Sequence, residues 1–170
     1  DFQTVIGGPV GAPLVLGQGL AAVTATLGER FPDCRAGIDR LMARIARLYD
    51  GVSRLAAARE QRAPAKLLSA APLLLPALGD WRLSLADALQ RDLGECEGAK
   101  CALGANLAYY HDDPASMWWL LFAMAQGGYL AAGAVYVRGG SASLSRALVK
   151  ALKRAGGEIV LGRRASAIEL

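Results

Sequence analysis

Between residues 38 and 55 the apolar side chains Ile38, Leu41, Met42, Ile45, Leu48, Tyr49, Val52 and Leu55 recur at steps of three and four, with Arg40, Arg44, Arg47 and Arg54 between them. An α-helix returns to the same face at that period, so the segment is expected to be an amphipathic helix with a core to lie on. Asp33, directly after Pro32, reads as its N-cap, and the helix is expected over residues 33–59. The arginine stripe reads as a solvated face, the other reading being contact with an anionic membrane or partner surface. The rest of the chain can supply the core. Of 170 residues 54% are apolar, which excludes global disorder and suits one domain, or a domain with a fragment of another. Aromatics are only 6%, so helix-rich packing of small residues is expected.

Other signals surround this helix. Short β-prone runs at residues 2–6 and 14–16, separated by Gly7, Gly8, Pro9, Gly11 and Pro13, predict two strands and a turn. A short helix is expected at 20–27, ended by Gly28. The run 64–76 is apolar but interrupted by Pro72 and Pro76, which argues against one continuous helix and suggests a loop that caps a core, lines an apolar entrance or touches a membrane surface. Ser84 should N-cap a helix over 85–93, with Asp87 at its third position. Another helix is expected at about 99–110, broken by His111-Asp112-Asp113-Pro114.

Residues 114–137 contain no charge over 24 positions, long enough to cross a bilayer. Gln126-Gly127-Gly128 and Gly133 would interrupt the backbone bonding that a span needs. A buried helix over 115–125, a Gly-Gly turn and a strand at 134–137 are expected instead. The chain then reads as a tight turn at Arg138-Gly139-Gly140-Ser141, a helix with the apolar stripe Leu144, Leu148, Ala151, Leu152 and Ala155, and a stop at Gly156-Gly157. Strands are expected at 158–161 and 165–170.

The chemistry-bearing residues are few. Gly17-Gln18-Gly19-Leu20-Ala21-Ala22 fits G-x-G-x-x-A and follows an apolar run, but no second strand ending in an acid follows its helix. His111 lies beside Asp112 and Asp113 without a G-x-S-x-G nucleophile elbow, so capping and turn roles are expected. Cys34, Cys96 and Cys101 lack zinc-site spacing and have one histidine for company; three reduced thiols and no metal are expected. The net charge of +4 is spread along helices without aromatic interleaving, which does not suggest nucleic acid.

The end of the chain carries the most specific pattern. Tyr136-Val137-Arg138-Gly139-Gly140-Ser141, the Leu144/Leu148/Leu152 helix, Gly156-Gly157-Glu158-Ile159 and Ala165-Ser166-Ala167-Ile168 stand in one order. In this order the chain resembles the phytoene-desaturase-like branch of the FAD-dependent amine-oxidase/desaturase flavoproteins. Glu29-Arg30-Phe31-Pro32, Ser84 to Leu89 and Gly127-Gly128-Tyr129 resemble that family's helical substrate domain, so the likeness covers about residues 29–170 and is most specific from Gly127 onward. It departs from the family in lacking the N-terminal Rossmann G-x-G-x-x-G and the C-terminal segment that closes over the flavin.

The resemblance implies an internal portion of a two-domain FAD/NAD(P)-binding-like flavoprotein, α+β in class. Residues 1–133 would be part of a mainly helical substrate (cap) domain with a small mixed sheet. Residues 134–170 would be a strand-helix-strand piece returning to the flavin domain. By carry-over, Gly139, Gly140 and Ala165 would border the cofactor, Ala165 at its adenine end. Tyr136 and Arg138 would border the substrate cavity. The parent activity implied is hydride transfer between a saturated carbon pair of an apolar small molecule and flavin N5, with the flavin supplying the electron chemistry. This chain alone is expected to be inactive and to hold no FAD tightly. The competing readings are a non-catalytic helical module that binds a lipid or a partner, and a membrane-inserted protein. Further expectations are a cytoplasmic location, peripheral membrane contact, and self-association through the face cut from the flavin domain.

Overall fold

The structure, a computed structural model, describes residues 3–62, 64–133 and 135–168, with side chains everywhere among them except at 64–67. Strand pairing opens the chain. Gln3–Val5 (β1) and Leu14–Leu16 (β2) pair antiparallel, Gln3 opposite Leu16 and Val5 opposite Leu14. Phe2, the first residue of the expected run, lies outside the described residues. Val5, Leu14 and Leu16 are buried, as the period-2 alternation of a one-sided ribbon requires.

Among the described residues the first unit holds the α-helices α1 (Leu20–Arg30), α2 (Arg35–Glu60), α3 (Pro64–Leu78), α4 (Leu85–Leu93), α5 (Glu97–Gly104) and α6 (Trp119–Ala132). A further one, α7 (Ser141–Arg154), lies in the second. The chain divides into two compact units, Asp1–Ala134 and Val135–Leu170. It is mostly helical with one small sheet, an α+β class. The sheet is not mixed: among the described residues β1 and β2 form it, an isolated antiparallel bridge joins Ser84 and Trp118, and 135–137, 158–161 and 165–168 form no strand. The remaining residues of those expected strands, Ala134, Glu169 and Leu170, lie outside the described set.

The first unit is organised on α2, whose Ile38, Leu41, Met42, Ile45 and Leu48 are buried. α1, α3, α4 and α6 all pack on it. α2 begins two residues later than expected, because Pro32–Cys34 forms a 3-10 turn and Cys34, not Asp33, is the N-cap residue.

Four helices correct the sequence reading. α1 does not stop at Gly28 but runs through it to Arg30, the glycine being buried under the Arg35 side chain. α3 is one helix through Pro72 and Pro76. Each proline forfeits one backbone bond, to the carbonyls of Leu68 and Pro72, but both prolines are exposed. The opposite face, with Ala70 buried and Leu74 and Ala77 against the core, is held on α2. A Cβ on Gly51 of α2 would lie 2.8 Å from Leu74 Cδ2, so the bare glycine sets how closely the two helices approach. α6 likewise runs through Gly127-Gly128, where a turn was expected. A Cβ on Gly127 would lie 2.8 Å from Tyr49 Cβ, so the residue is a helix-contact glycine. Fourth, the helix expected over 99–110 is divided into α5 and a 3-10 turn at Leu107–Tyr109. α4 matches its expected bounds, with a capping box in which Asp87 N–H donates to Ser84 Oγ at 3.1 Å and Ser84 N–H to Asp87 Oδ2 at 3.3 Å.

The arginine stripe is not a uniformly solvated face. Arg54 is exposed and pairs with Asp50 one turn back. Arg44 is largely buried: it binds Asp92 and Asp80 (2.7 Å to the latter) and lies 4.6 Å from the centre of the Trp119 ring. Arg91 joins Asp80 at 3.1 Å, and Arg40 Nη2 donates to the Asp92 carbonyl at 3.1 Å. One guanidinium fork thus ties α2 to the start and the end of the α4 region. Burial opposes the charge on Asp80, but the hydrogen bond and charge of Arg44, with those of Arg91, hold its carboxyl below the usual carboxylate range.

The thiols also correct the reading. Cys34 and Cys96 form a disulfide, Cα atoms 6.3 Å apart, and only Cys101 is a free thiol. The bond closes a loop with a sequence separation of 62 residues, long enough to stabilise by about 2–4 kcal/mol by restricting the unfolded chain. No helix among the described residues is long and apolar enough to cross a membrane.

Two predictions follow from these ties. Reducing the chain with dithiothreitol, or substituting Cys34→Ser, should lower the urea midpoint by an amount equal to about 2–4 kcal/mol; an unchanged midpoint would show that the bond restrains nothing. Asp80 has a lowered folded pKa, so its stabilising contribution is present above the ordinary carboxylate pKa and is lost as pH falls through the folded value. Asp80→Asn should therefore cost about 1–2 kcal/mol at neutral pH. The gap to the wild type should close on acidification below about pH 4. A gap that stays constant to pH 2 would rule out the ion pair as its source.

Candidate functional site

The residues singled out for chemistry fall in separate places. In the second unit, Arg138-Gly139-Gly140 makes the turn into α7. Gly139 and Gly140 have φ of 80° and 78°, the left-handed region that glycine adopts without penalty. Gly140 N–H donates to the Val137 carbonyl at 2.9 Å, and Ser143 Oγ donates to the Gly139 carbonyl at 2.7 Å. A Cβ on Gly140 would meet nothing closer than the Tyr136 hydroxyl at 3.9 Å, so Tyr136 and Gly140 are brought together on an open side of the turn. Arg138 and Tyr136 are exposed. Ala165 is exposed as well, and among the described residues no hydrogen bond joins it to this turn.

α7 ends in a Schellman closure. Gly157 N–H reaches the Leu152 carbonyl at 3.0 Å and Gly156 N–H the Lys153 carbonyl at 3.1 Å, with Gly156 at φ +84°. Lys153 and Arg154 sit in the last turn, where cations favour the helix dipole. Taken by itself, this unit leaves the Leu144, Leu148 and Leu152 stripe exposed, together with Val135, Val160, Leu161 and Ile168.

The glycine fingerprint of the first unit does lie on a strand, turn and helix: β2, Gly17-Gln18-Gly19, α1. Its surroundings are those of a structural turn. Gly19 N–H donates to the Leu130 carbonyl at 3.1 Å, and the Gln18 side chain lies against Gly133. β2 pairs antiparallel with β1, and α1 leads into α2 with no parallel strand between. Without that strand no crevice forms at the strand ends for a dinucleotide.

His111 takes a turn role. Its Nδ1 accepts the Asp113 backbone N–H at 3.0 Å. Asp113 in turn accepts from Ser116 Oγ at 2.7 Å and from Ala115 N–H at 2.9 Å. The Ser116 bond first, then the Ala115 N–H, lowers the Asp113 pKa. Among the described residues no three His, Cys, Asp or Glu side chains converge as a metal would need.

One cleft was not legible in the sequence. About 700 Å³ in volume, it lies between the β1 turn and the α5–α6 region, lined by Gln3, Gly8, Cys101, Asn106, Tyr109 and Tyr129 among others. Asn106 is buried and exchanges side-chain hydrogen bonds with Gln3, across 103 positions of sequence, at 3.1 and 3.4 Å. The lining holds amides, phenols and a thiol but no charged side chain, which suits a neutral polar ligand. Its parts come from distant segments with no periodic pattern, which is why reading along the chain does not find it.

No family model, curated protein or solved structure matches the chain.

The α7 closure gives a prediction. Gly156→Ala forces a Cβ into the left-handed region, costing about 1–2 kcal/mol locally. Amide exchange at residues 150–157 should accelerate in the full chain while that of α2 stays unchanged. Equal exchange in both proteins would show that the closure does not hold the helix end.

Proposed function

We propose that this chain is part of a FAD-dependent oxidoreductase of the desaturase type, acting on a carbon–carbon bond of an apolar small molecule, and that the chain alone is inactive. The observation that carries the reading is the ordered pattern of residues 136–168. An aromatic segment enters a double-glycine turn, a leucine-striped helix follows, and a second double glycine leads to a β-prone run, the order in which the flavoprotein family returns from its substrate domain to its flavin domain. The open leucine face of α7 and the unpaired segments at 135–137, 158–161 and 165–168 support it, because such pieces need a sheet to lie on.

The residues described here do not by themselves fit FAD. The Gly17–Gly19 turn spends its N–H on Leu130, and Gly140 spends its own on Val137. Among the described residues no parallel sheet frames either turn. Gly139, Gly140 and Ala165 would border a flavin held by other segments, and Tyr136 and Arg138 would face the substrate side. No catalytic step is assigned to any of them.

The test is the reading frame around this sequence and its product. A G-x-G-x-x-G encoded upstream, and a full-length protein that purifies with flavin absorbance, are expected. Gly140→Val in that protein should reduce its flavin content severalfold. Stop and start codons tightly flanking these residues, or a full-length product without flavin, would overturn the reading.

A further inference from the structure

α3 violates the usual division of a surface helix into an apolar and a polar face. Its inner side lies on α2, yet its outer side is apolar too: Leu68, Leu75 and Leu78 are 77%, 61% and 66% exposed. Their spacing, with Ala71 and Pro72 between, places them on one stripe. Beyond the helix end Trp81 is 59% exposed and meets Trp118 edge-on at 4.9 Å, while Trp118 Nε1 donates to the Trp81 carbonyl at 2.7 Å.

The charge around this stripe is net positive, Glu60 being the one exposed acid among the flanking arginines. Arg59 and Arg62 precede it and Arg82 follows it, all exposed and none in an ion pair among the described residues. No acid occurs at residues 61–79. Asp80, the acid at its far end, is already bound by Arg44 and Arg91.

We propose that the outer face of α3 docks on an anionic lipid surface. Leu68, Leu75 and Leu78 enter the acyl boundary, Trp81 and Trp118 sit at headgroup depth, and Arg59, Arg62 and Arg82 meet the lipid phosphates. The helix backbone sets the depth. Pro72 and Pro76 leave the Leu68 and Pro72 carbonyls without their helical donors, which water must replace. α3 therefore lies in the hydrated interface and goes no deeper. A second copy fits this face poorly: whether two stripes meet parallel or antiparallel about a twofold axis, arginine-bearing ends face arginine-bearing ends. The inference does not rest on the flavoprotein reading, and its test involves no flavin.

The test is co-sedimentation of the full chain with vesicles of mixed phosphatidylcholine and phosphatidylglycerol, and with phosphatidylcholine alone. Arg59, Arg62 and Arg82, offset by Glu60, should favour the anionic vesicles about thirtyfold, and high salt should release most of the bound protein. Leu75→Glu and Leu68→Glu, both at exposed positions, should each abolish sedimentation while leaving the circular dichroism unchanged. Leu148→Glu on α7 should leave it intact. A blue shift of tryptophan fluorescence on binding, diminished in Trp81→Phe, would place the tryptophans at the surface. Absent or charge-independent sedimentation would overturn the proposal, as would binding lost in Leu148→Glu but kept in Leu75→Glu. So would Leu75→Glu dissociating a dimer in size-exclusion chromatography without changing vesicle binding.

Discussion

Ile38 and Ile45 on α2 have no exposed surface at all, and Leu41 between them almost none. Burying each such side chain is worth about 1.5–3 kcal/mol, and four other helices of the first unit take their positions from the face these residues form. Arg44, one residue before Ile45, extends the same constraint to polar groups. Its fork holds Asp92 on α4 and Asp80 just ahead of it, while its plane rests on Trp119 at the start of α6. A single turn of α2 thus fixes three neighbouring segments, two by charge and one by stacking.

The remaining contacts depend on how closely helices approach. Gly51 admits α3 and Gly127 admits α2 against α6, each at a distance that a methyl group would prevent. The disulfide Cys34–Cys96 then ties the start of α2 to the start of α5 covalently, where Gly98 also lies against Phe31 and the Pro9 carbonyl. The neutral cleft opens on another side of α5, with the Gln3–Asn106 pair in its lining. The core leaves selected apolar surfaces exposed, and in the first unit the outer side of α3 is one of them.

The second unit obeys local rules without completing a core of its own. Its helix is well started and well stopped, by Gly139-Gly140 and by the Gly156-Gly157 closure, yet among the described residues of the unit Leu144, Leu148 and Leu152 stay exposed. Local capping is enough to define a helix, whereas burying its face needs a further layer.

How much of this was legible follows from the range of each interaction. The three- and four-residue period of Ile38 to Leu55, the Ser84–Asp87 capping box and the glycine stop of α7 act within a few residues, so the amino-acid order alone determined α2, α4 and α7. The ribbon at residues 3–16 was equally plain, its alternation and glycine-proline turn being local. The order of residues cannot tell a breaking glycine from a contact glycine, because Gly127 differs from a turn glycine only in having Tyr49 against it. The continuity of α3, the pairing of Cys34 with Cys96, the burial of Arg44 and the cleft around Asn106 depended on partners 22 to 103 positions away. Tertiary packing alone decided them, since the free energy that outweighs a lost helix bond or desolvates a guanidinium comes from surfaces that meet only when the chain has folded.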